Sequence, residues 1–153
     1  MRQLRGEVDG KGLRIGVIIS RFNPEITDRL LEGALRALGD AGVADEDITV
    51  ISVPGAVEIP GVARRLAAKV DAIVTLGAVV RGETEHFTYV CKAAQEGVLR
   101  VALESGKPII FGVLTTESSA QALARSGGDK GHKGYDVARD AVEMANLYRL
   151  LGN

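Results

Sequence analysis

The stretch "AIVTLGAVVRGETEHFTYV", residues 72–90, joins a continuous apolar segment to a polar loop and then to a second apolar pattern. Residues 72–80 are small or β-branched almost throughout, which is typical of a strand buried on both faces of a parallel sheet. The apolar pattern resumes at Phe87 with the spacing of a helix. The stretch therefore predicts a central strand, a loop and a helix in succession.

The loop at residues 81–86 is mostly polar or conformationally permissive. Two interpretations fit its residues equally. In the first interpretation, backbone N–H groups around Gly82 to Thr84 face an anion at the start of the helix. Alternatively, Gly82 permits a turn, and Glu83 or Thr84 merely caps the helix.

Strand and helix patterns alternate along the rest of the chain. Apolar runs predict further strands at 13–20, 47–53 and 108–116. Amphipathic patterns predict helices at 23–42, 58–70, 87–106, 118–128 and 135–151. This alternation predicts a three-layer α/β/α sandwich with a four-stranded parallel sheet, for which we expect the strand order 2-1-3-4.

The start and end of the first helix are marked in the sequence. Asn23 is expected to cap it, Pro24 suits its first turn, and Gly42 can end it. The positions expected to share its apolar face are Ile26, Leu30, Ala34, Leu35 and Leu38.

Length and composition suggest one domain, residues 1–153, in which residues 1–12 form an extra strand or an arm. The net charge of −1 gives no general attraction to nucleic acid or to an anionic membrane. A single cysteine, Cys91, excludes an internal disulfide and fits a reducing, cytoplasmic location. The sequence shows neither a secretory signal nor an apolar run long enough to span a bilayer.

Sheets of this kind bind ligands beyond the carboxyl ends of the strands, where the strand order reverses. In the expected order, the segments that meet there are "SRFNPE" (20–25) and "VRGETEH" (80–86), flanked by "VPGAVEIP" (53–60). His86 lies at the mouth of this cleft, and histidine side chains gain and lose protons near neutral pH. His132, in "GGDKGHKG", is interpreted as having no functional role.

Several chemistries lack their sequence signals. One cysteine and two histidines provide no His/Cys cluster of metal ligands, so we expect no metal site, although this argument does not extend to a magnesium ion bound by carboxylates. No phosphate-binding glycine motif follows the first strand, and no G-x-S-x-G elbow is present. Cys91 falls within an amphipathic helix and is interpreted as a structural thiol.

Five segments together resemble the lumazine synthase family, in the order and at the spacing of that family. They are "RFNPEIT" (21–27), "VPGAVEIP" (53–60), "LGAVVRGETEHFTYV" (76–90), "PIIFGVLTTE" (108–117) and "ALARSGGDKGHKG" (122–134). The resemblance extends from about Ile15 to Asn146. It implies a flavodoxin-like fold and the penultimate step of riboflavin biosynthesis, with no cofactor. In that step 5-amino-6-(D-ribitylamino)uracil and 3,4-dihydroxy-2-butanone 4-phosphate give 6,7-dimethyl-8-ribityllumazine, phosphate and water.

The resemblance also assigns residues to the pyrimidine substrate. Phe22 is similar to the aromatic residue that stacks on the pyrimidine ring, and Glu58 to the acceptor for the ribityl hydroxyls. The other residues assigned to this substrate are Asn23, Ala56, Val57, Ala78, Val79, Val80 and Phe111.

The phosphate-bearing substrate is assigned a second group of residues. Glu83 and Thr84 match the phosphate loop, where the Glu83 amide is expected to bind and its carboxylate to point away. Arg125 matches the guanidinium that pairs with the phosphate, and Lys133 is a second basic residue. His86 matches the proton-transfer residue.

Two positions differ from the family pattern. Val57 stands where an aromatic residue is usual, which predicts a looser pocket wall. Thr88 stands where an acidic residue is common, so His86 lacks any help that such a carboxylate gives.

The resemblance further implies a homopentamer whose active sites lie between neighbours, with Phe111 and Arg125 completing the adjacent site. The short "SGGDKGHKG" loop favours a 60-subunit icosahedral shell, which could enclose riboflavin synthase, and the N-terminal segment could add a strand to a neighbour's sheet. The competing interpretations are a non-catalytic flavodoxin-like binding module and a shell protein that has lost activity.

Overall fold

A computed structural model describes residues 1–152 and contains a four-stranded parallel sheet. Its strands are β1 (Ile15–Ser20), β2 (Ile48–Val53), β3 (Ala72–Val80) and β4 (Ile109–Thr116). Their order is β2-β1-β3-β4, and all three pairings are parallel. The predicted sheet and its strand order are confirmed, and every strand begins and ends within two residues of its predicted bounds.

Helices cover both faces of this sheet, as predicted. They are α1 (Pro24–Asp40), α2 (Ile59–Leu66), α3 (His86–Ser105), α4 (Ser119–Ala124) and α5 (Lys133–Leu151). One apolar core lies between the sheet and the pair α1 and α5, and the other lies between the sheet and the pair α2 and α3. The α/β/α sandwich therefore has two separate cores.

The region after α4 differs from the prediction. A helix was expected over 118–128, but α4 ends at Ala124 and an antiparallel hairpin follows, formed by β5 (Ser126–Gly128) and β6 (Gly131–His132). Gly127 and Gly131 have φ angles of 106° and 91°, which a helix does not accommodate and which glycine adopts without strain. The last helix begins two residues earlier than the predicted position 135.

The N-terminal segment is an arm along α5 and contains no strand within residues 1–12. The Asn146 side chain donates two hydrogen bonds to it, to the carbonyl oxygens of Glu7 (2.7 Å) and Asp9 (2.8 Å). Arg5 pairs with Glu143 at 3.1 Å. These contacts place the segment along α5 within one chain, and strand pairing with a neighbour's sheet stays a prediction.

For α1, the position of the N-cap residue is confirmed, but a side-chain cap and the burial of Leu35 are not observed. Asn23 occupies the N-cap position, but its side chain makes no capping hydrogen bond; its backbone carbonyl accepts from Ile26 and Thr27 instead. Leu35 is exposed, because the 3.6-residue period turns it away from the buried stripe that contains Ile26 and Leu30. None of the helices within residues 1–152 is long and apolar enough to cross a bilayer.

Candidate active site

A pocket of about 500 Å³ lies at the carboxyl ends of the central strands. Three connecting segments and the first turns of α3 form its walls. The residues are Phe22 and Asn23 after β1; Gly55, Ala56, Val57 and Glu58 after β2; Ala78, Val79, Val80, Gly82 and Thr84 at the end of β3; and His86, Phe87 and Val90 in α3. A mainly apolar cleft with a few polar groups, at the point where strand order reverses, is typical of a small-molecule site.

Phe22 stands at the edge of the pocket with its ring largely in solvent. Its side chain is 73% exposed, and Val57 on the neighbouring wall is 47% exposed. An exposed aromatic ring at a cleft offers a flat surface on which a planar ligand can stack.

Asn23 connects the loop after β1 to the end of β3. Its backbone is left-handed (φ 58°), and its side-chain amide donates to the carbonyl oxygen of Ala78 at 2.8 Å. Asparagine adopts this conformation more readily than most residues, and such conformations concentrate at functional sites. The hydrogen bond fixes the position of the adjacent Phe22 relative to β3.

The end of β3 presents an open backbone edge to the pocket. β3 pairs with β1 only as far as Leu76, whereas its pairing with β4 continues to Val80. Because backbone groups alternate in direction along a strand, those of Ala78 and Val80 point to the side on which β1 has ended. The Ala78 carbonyl on this side already accepts from Asn23, so a ligand with donors and acceptors would pair mainly with the groups of Val80 and share the Ala78 carbonyl.

Glu58 brings a carboxylate to the opposite wall. Its Oε2 atom accepts a hydrogen bond from the Gly55 amide at 2.9 Å, which closes the turn of 3₁₀ helix at Ala56–Glu58. Within the described residues, the other carboxylate oxygen has no protein donor, so it can accept from a ligand hydroxyl.

The loop at residues 82–85 is exposed throughout and enters α3 at His86. Thr84 Oγ1 accepts from the His86 amide at 3.3 Å, but the amides of residues 82–85 have no acceptor within residues 1–152. Free amides at the N-terminus of a long helix attract anions. His86 lies at this end of the pocket with its imidazole exposed.

The pocket of a single chain lacks a cation. Across residues 1–152, the titratable side chains that line it are Glu58 and His86, and neither lysine nor arginine is among them. A phosphate group bound at the loop would therefore depend on amides alone unless another copy supplied positive charge.

Four of the predicted site residues do not line the pocket. Arg125 is the C-cap residue that follows α4, and its guanidinium donates to the Gln121 carbonyl at 3.0 Å. Lys133 is exposed at the start of α5, and Phe111 is half-buried on β4 against the core that contains α2 and α3. Glu83 is exposed beside the pocket.

Gly55, Phe87 and Val90 line the pocket although we did not predict them as site residues. Helical spacing gave a signal for Val90, which lies four residues beyond His86 and three beyond Phe87, on the same side of α3 as both. Phe87 is only the sequence neighbour of His86. Gly55 gave no comparable signal, because its role depends on the turn that brings Glu58 back to its amide.

Cys91 lies near the start of α3 and is partly buried. Burial raises the pKa of the Cys91 thiol, and the nearby Arg81 charge opposes this shift. A raised pKa leaves little reactive thiolate at neutral pH, which agrees with a structural thiol. Residues 1–152 contain no group of three or more His, Cys, Asp or Glu side chains placed to hold a metal ion.

Comparisons with known proteins agree with the resemblance seen in the sequence. The family described as 6,7-dimethyl-8-ribityllumazine synthase matches residues 12–149. A protein of Desulfatibacillum aliphaticivorans named 6,7-dimethyl-8-ribityllumazine synthase is 51% identical to this chain over 148 residues. The aligned region covers 95% of this chain and 96% of the relative.

Proposed function

This chain belongs to the 6,7-dimethyl-8-ribityllumazine synthase family, and we propose that the pocket at the carboxyl ends of β1 and β3 is its active site. The chain is a transferase of riboflavin biosynthesis. It condenses 5-amino-6-(D-ribitylamino)uracil with 3,4-dihydroxy-2-butanone 4-phosphate to give 6,7-dimethyl-8-ribityllumazine, phosphate and water. One observation carries the assignment of the site: Phe22, Glu58 and His86, which are far apart in sequence, line a single pocket with the free edge of β3.

The pyrimidine substrate is held between the loops after β1 and β2. Its ring stacks on Phe22, and its amide edge pairs with the backbone of Ala78 and Val80, where β3 has no neighbouring strand on that side. The free oxygen of Glu58 accepts from the ribityl hydroxyls. An offset-stacked ring contributes about 0.5–1.5 kcal/mol beyond the area that it buries. Val57 forms a smaller wall here than an aromatic side chain would.

The phosphate-bearing substrate lies at the loop of residues 82–85. The free amides of this loop and the N-terminus of α3 supply donors, and the carboxylate of Glu83 points away. Its cation comes from an adjoining copy, because Arg125 does not line the pocket of its own chain. Arginine suits this position since its planar fork binds two phosphate oxygens at once. Lys133 and Phe111 accompany Arg125 from the same neighbour.

His86 moves protons between the two substrates. The amine of the pyrimidine attacks the ketone carbonyl and a first water leaves; phosphate is then eliminated, and the second amine closes the ring on the remaining carbonyl with loss of a second water. A side chain that relays these protons contributes about 10²–10⁴ in rate. Holding two substrates together supplies much of the rest, since effective molarities reach roughly 10⁵–10⁸ M. This reaction requires neither a metal ion nor an organic cofactor.

The assembly is a homopentamer, and twelve pentamers form a 60-subunit shell that can enclose riboflavin synthase in the cytoplasm. The exposed apolar face of α3 supports contact between copies, with Tyr89 70%, Leu99 56% and Leu103 75% exposed. Size-exclusion chromatography with light scattering distinguishes pentamer, decamer and shell.

A direct assay tests the function. Purified protein is mixed with both substrates, and the lumazine is followed by its absorbance and fluorescence. Product formation well above the spontaneous rate supports the enzyme. Binding of the pyrimidine without product formation above background would instead indicate a non-catalytic binding module.

A further inference from the structure

Arg81 connects three elements at the point where β3 ends. Its amide donates to the Thr116 carbonyl at 2.9 Å, and its Nε atom pairs with Glu117 Oε2 at 2.8 Å. The central carbon of its guanidinium lies over the Phe87 ring, 4.5 Å from the centroid. One side chain therefore links the end of β4 to the first turn of α3.

The loop between these contacts has few ties of its own. Residues 82–85 are exposed, and nothing within 4 Å would meet a side chain at Gly82. The hydrogen bond between Thr84 and the His86 amide ties the loop only to the helix that follows it. The position of the loop therefore depends on its two ends, and the Arg81 side chain holds both.

Arg81 itself does not line the pocket, and its charge is compensated by Glu117. Phe87, on which it stacks, does line the pocket. A planar guanidinium can pair through one edge while its face covers a ring, which a lysine ammonium cannot reproduce.

We propose that Arg81 is a positioning residue for the phosphate-bearing substrate. The chain of contacts Glu117–Arg81–Phe87 holds the loop of residues 82–85 and the start of α3 in the geometry that binds phosphate. This inference rests on the proposed function of the loop.

The first test is Arg81→Met, which keeps much of the side chain's length and removes both contacts. We expect the KM for 3,4-dihydroxy-2-butanone 4-phosphate, and the inhibition constant of inorganic phosphate, to rise about tenfold, as expected for losing an ion pair and a cation–π contact together. The KM for the pyrimidine substrate stays within about twofold, because Phe22 and Glu58 are untouched. Arg81→Lys keeps the charge but not the planar face, so its KM for 3,4-dihydroxy-2-butanone 4-phosphate should lie between those of the wild type and Arg81→Met.

The matched control is Arg64→Met. It breaks an equally short surface pair, Arg64 to Glu104 at 2.8 Å, between α2 and the last turn of α3. Its kinetic constants should equal those of the wild type. If Arg81→Met does not fold, Arg81→Lys carries the test alone, and a phosphate-substrate KM equal to that of the wild type then rejects the proposal.

Glu117→Ala separates positioning from direct phosphate contact. If Arg81 acts through the contacts described above, Glu117→Ala weakens phosphate binding. In the Glu117→Ala protein, a further Arg81→Met substitution should then raise the KM for the phosphate-bearing substrate by a smaller factor than it does in the wild type. Tighter phosphate binding in Glu117→Ala would show that Arg81, once freed, binds the anion itself, and this would overturn the proposal. Equal increases in both KM values for Arg81→Met would also overturn it. A wild-type protein that makes no lumazine rejects the proposed function instead, so the two failures are distinguishable.

Discussion

The two faces of the sheet bury their helices to different degrees. On one face, α1 and α5 bury a continuous apolar stripe against each other and the sheet, and α1 alone buries Ile26, Leu30 and Leu38. On the other, the 20-residue α3 buries only Ala94, Val98 and Val101. The helices of the first face bury most of their apolar stripe within one chain, whereas α3 on the second face leaves Tyr89, Leu99 and Leu103 exposed. The first face therefore contains the larger apolar core of the single chain, and the proposed contact between copies and the proposed proton-transfer residue His86 lie on the second.

Leu30→Ala and Leu103→Ala compare the two faces directly, and we expect the largest effect on stability from Leu30→Ala. Leu30 is fully buried in the α1–α5 core, so its truncation should lower the free energy of unfolding by about 2–5 kcal/mol at any protein concentration. Leu103 is 75% exposed, so the same substitution should cost the single chain at most about 0.5 kcal/mol. Denaturant unfolding over a range of protein concentrations measures both, and an equal, concentration-independent loss in the two variants would refute the comparison.

His86→Ala tests whether the second face contains the chemistry. Loss of the proton relay should lower kcat by about a hundredfold without abolishing turnover, because both substrates are still held together. The free energy of unfolding should not change measurably, since the imidazole is exposed. Steady-state kinetics that show an unchanged kcat would remove His86 from this role.

Phe22→Ala should have a smaller effect that is confined to one substrate. Loss of stacking should raise the KM for the pyrimidine about threefold to tenfold and leave the KM for the phosphate-bearing substrate unchanged. Phe22→Leu provides the control for apolar contact without an aromatic face. Equal effects on both substrates would place the ring outside the pyrimidine site.

The smallest effect concerns His132 on the first face. Its imidazole lies against Gly33 of α1, and its Nδ1 atom accepts from the Tyr135 amide. Burial and the Arg36 charge lower the pKa of His132, while Asp136 and Glu32 oppose them. Because the folded protein takes up this proton less readily than the unfolded one, stability should fall as the pH drops below about 6.5. His132→Asn keeps a capping acceptor but cannot take up this proton, so its melting temperature should decline less between pH 7 and 5 than that of the wild type. An identical decline in the two proteins would exclude His132 as the source of the pH dependence.

The sheet was predictable because its strands are continuous apolar runs that only a doubly covered parallel sheet can bury. The hairpin after α4 was not, since the pattern "SSAQALARSGG" continues a helix until Gly127 turns the backbone. The left-handed conformation of Asn23 was also hidden, because it depends on the Ala78 carbonyl, 55 residues away.

The site was predictable only in part. Residues that follow β1, β2 and β3 converge on the pocket because parallel strands all end at one edge of the sheet. For Phe111, Arg125 and Lys133 the sequence gave a resemblance but no geometry: none of them lines the pocket of its own chain, and their proposed place is in the site of a second copy. The contacts of Arg81 gave no periodic signal at all, because they join a strand end, a helix start and a third segment.

The central claim is that each active site combines His86 of one copy with Arg125 of the next. Co-expression of His86→Ala and Arg125→Ala chains tests it most directly, because random mixing leaves about a quarter of the boundaries with both native side chains in a cyclic assembly. The account predicts that mixed pentamers regain lumazine synthesis to about that fraction of the wild type, far above either variant alone. Mixed pentamers no more active than the separate variants would contradict it, since a site contained within one chain cannot be restored by a neighbour.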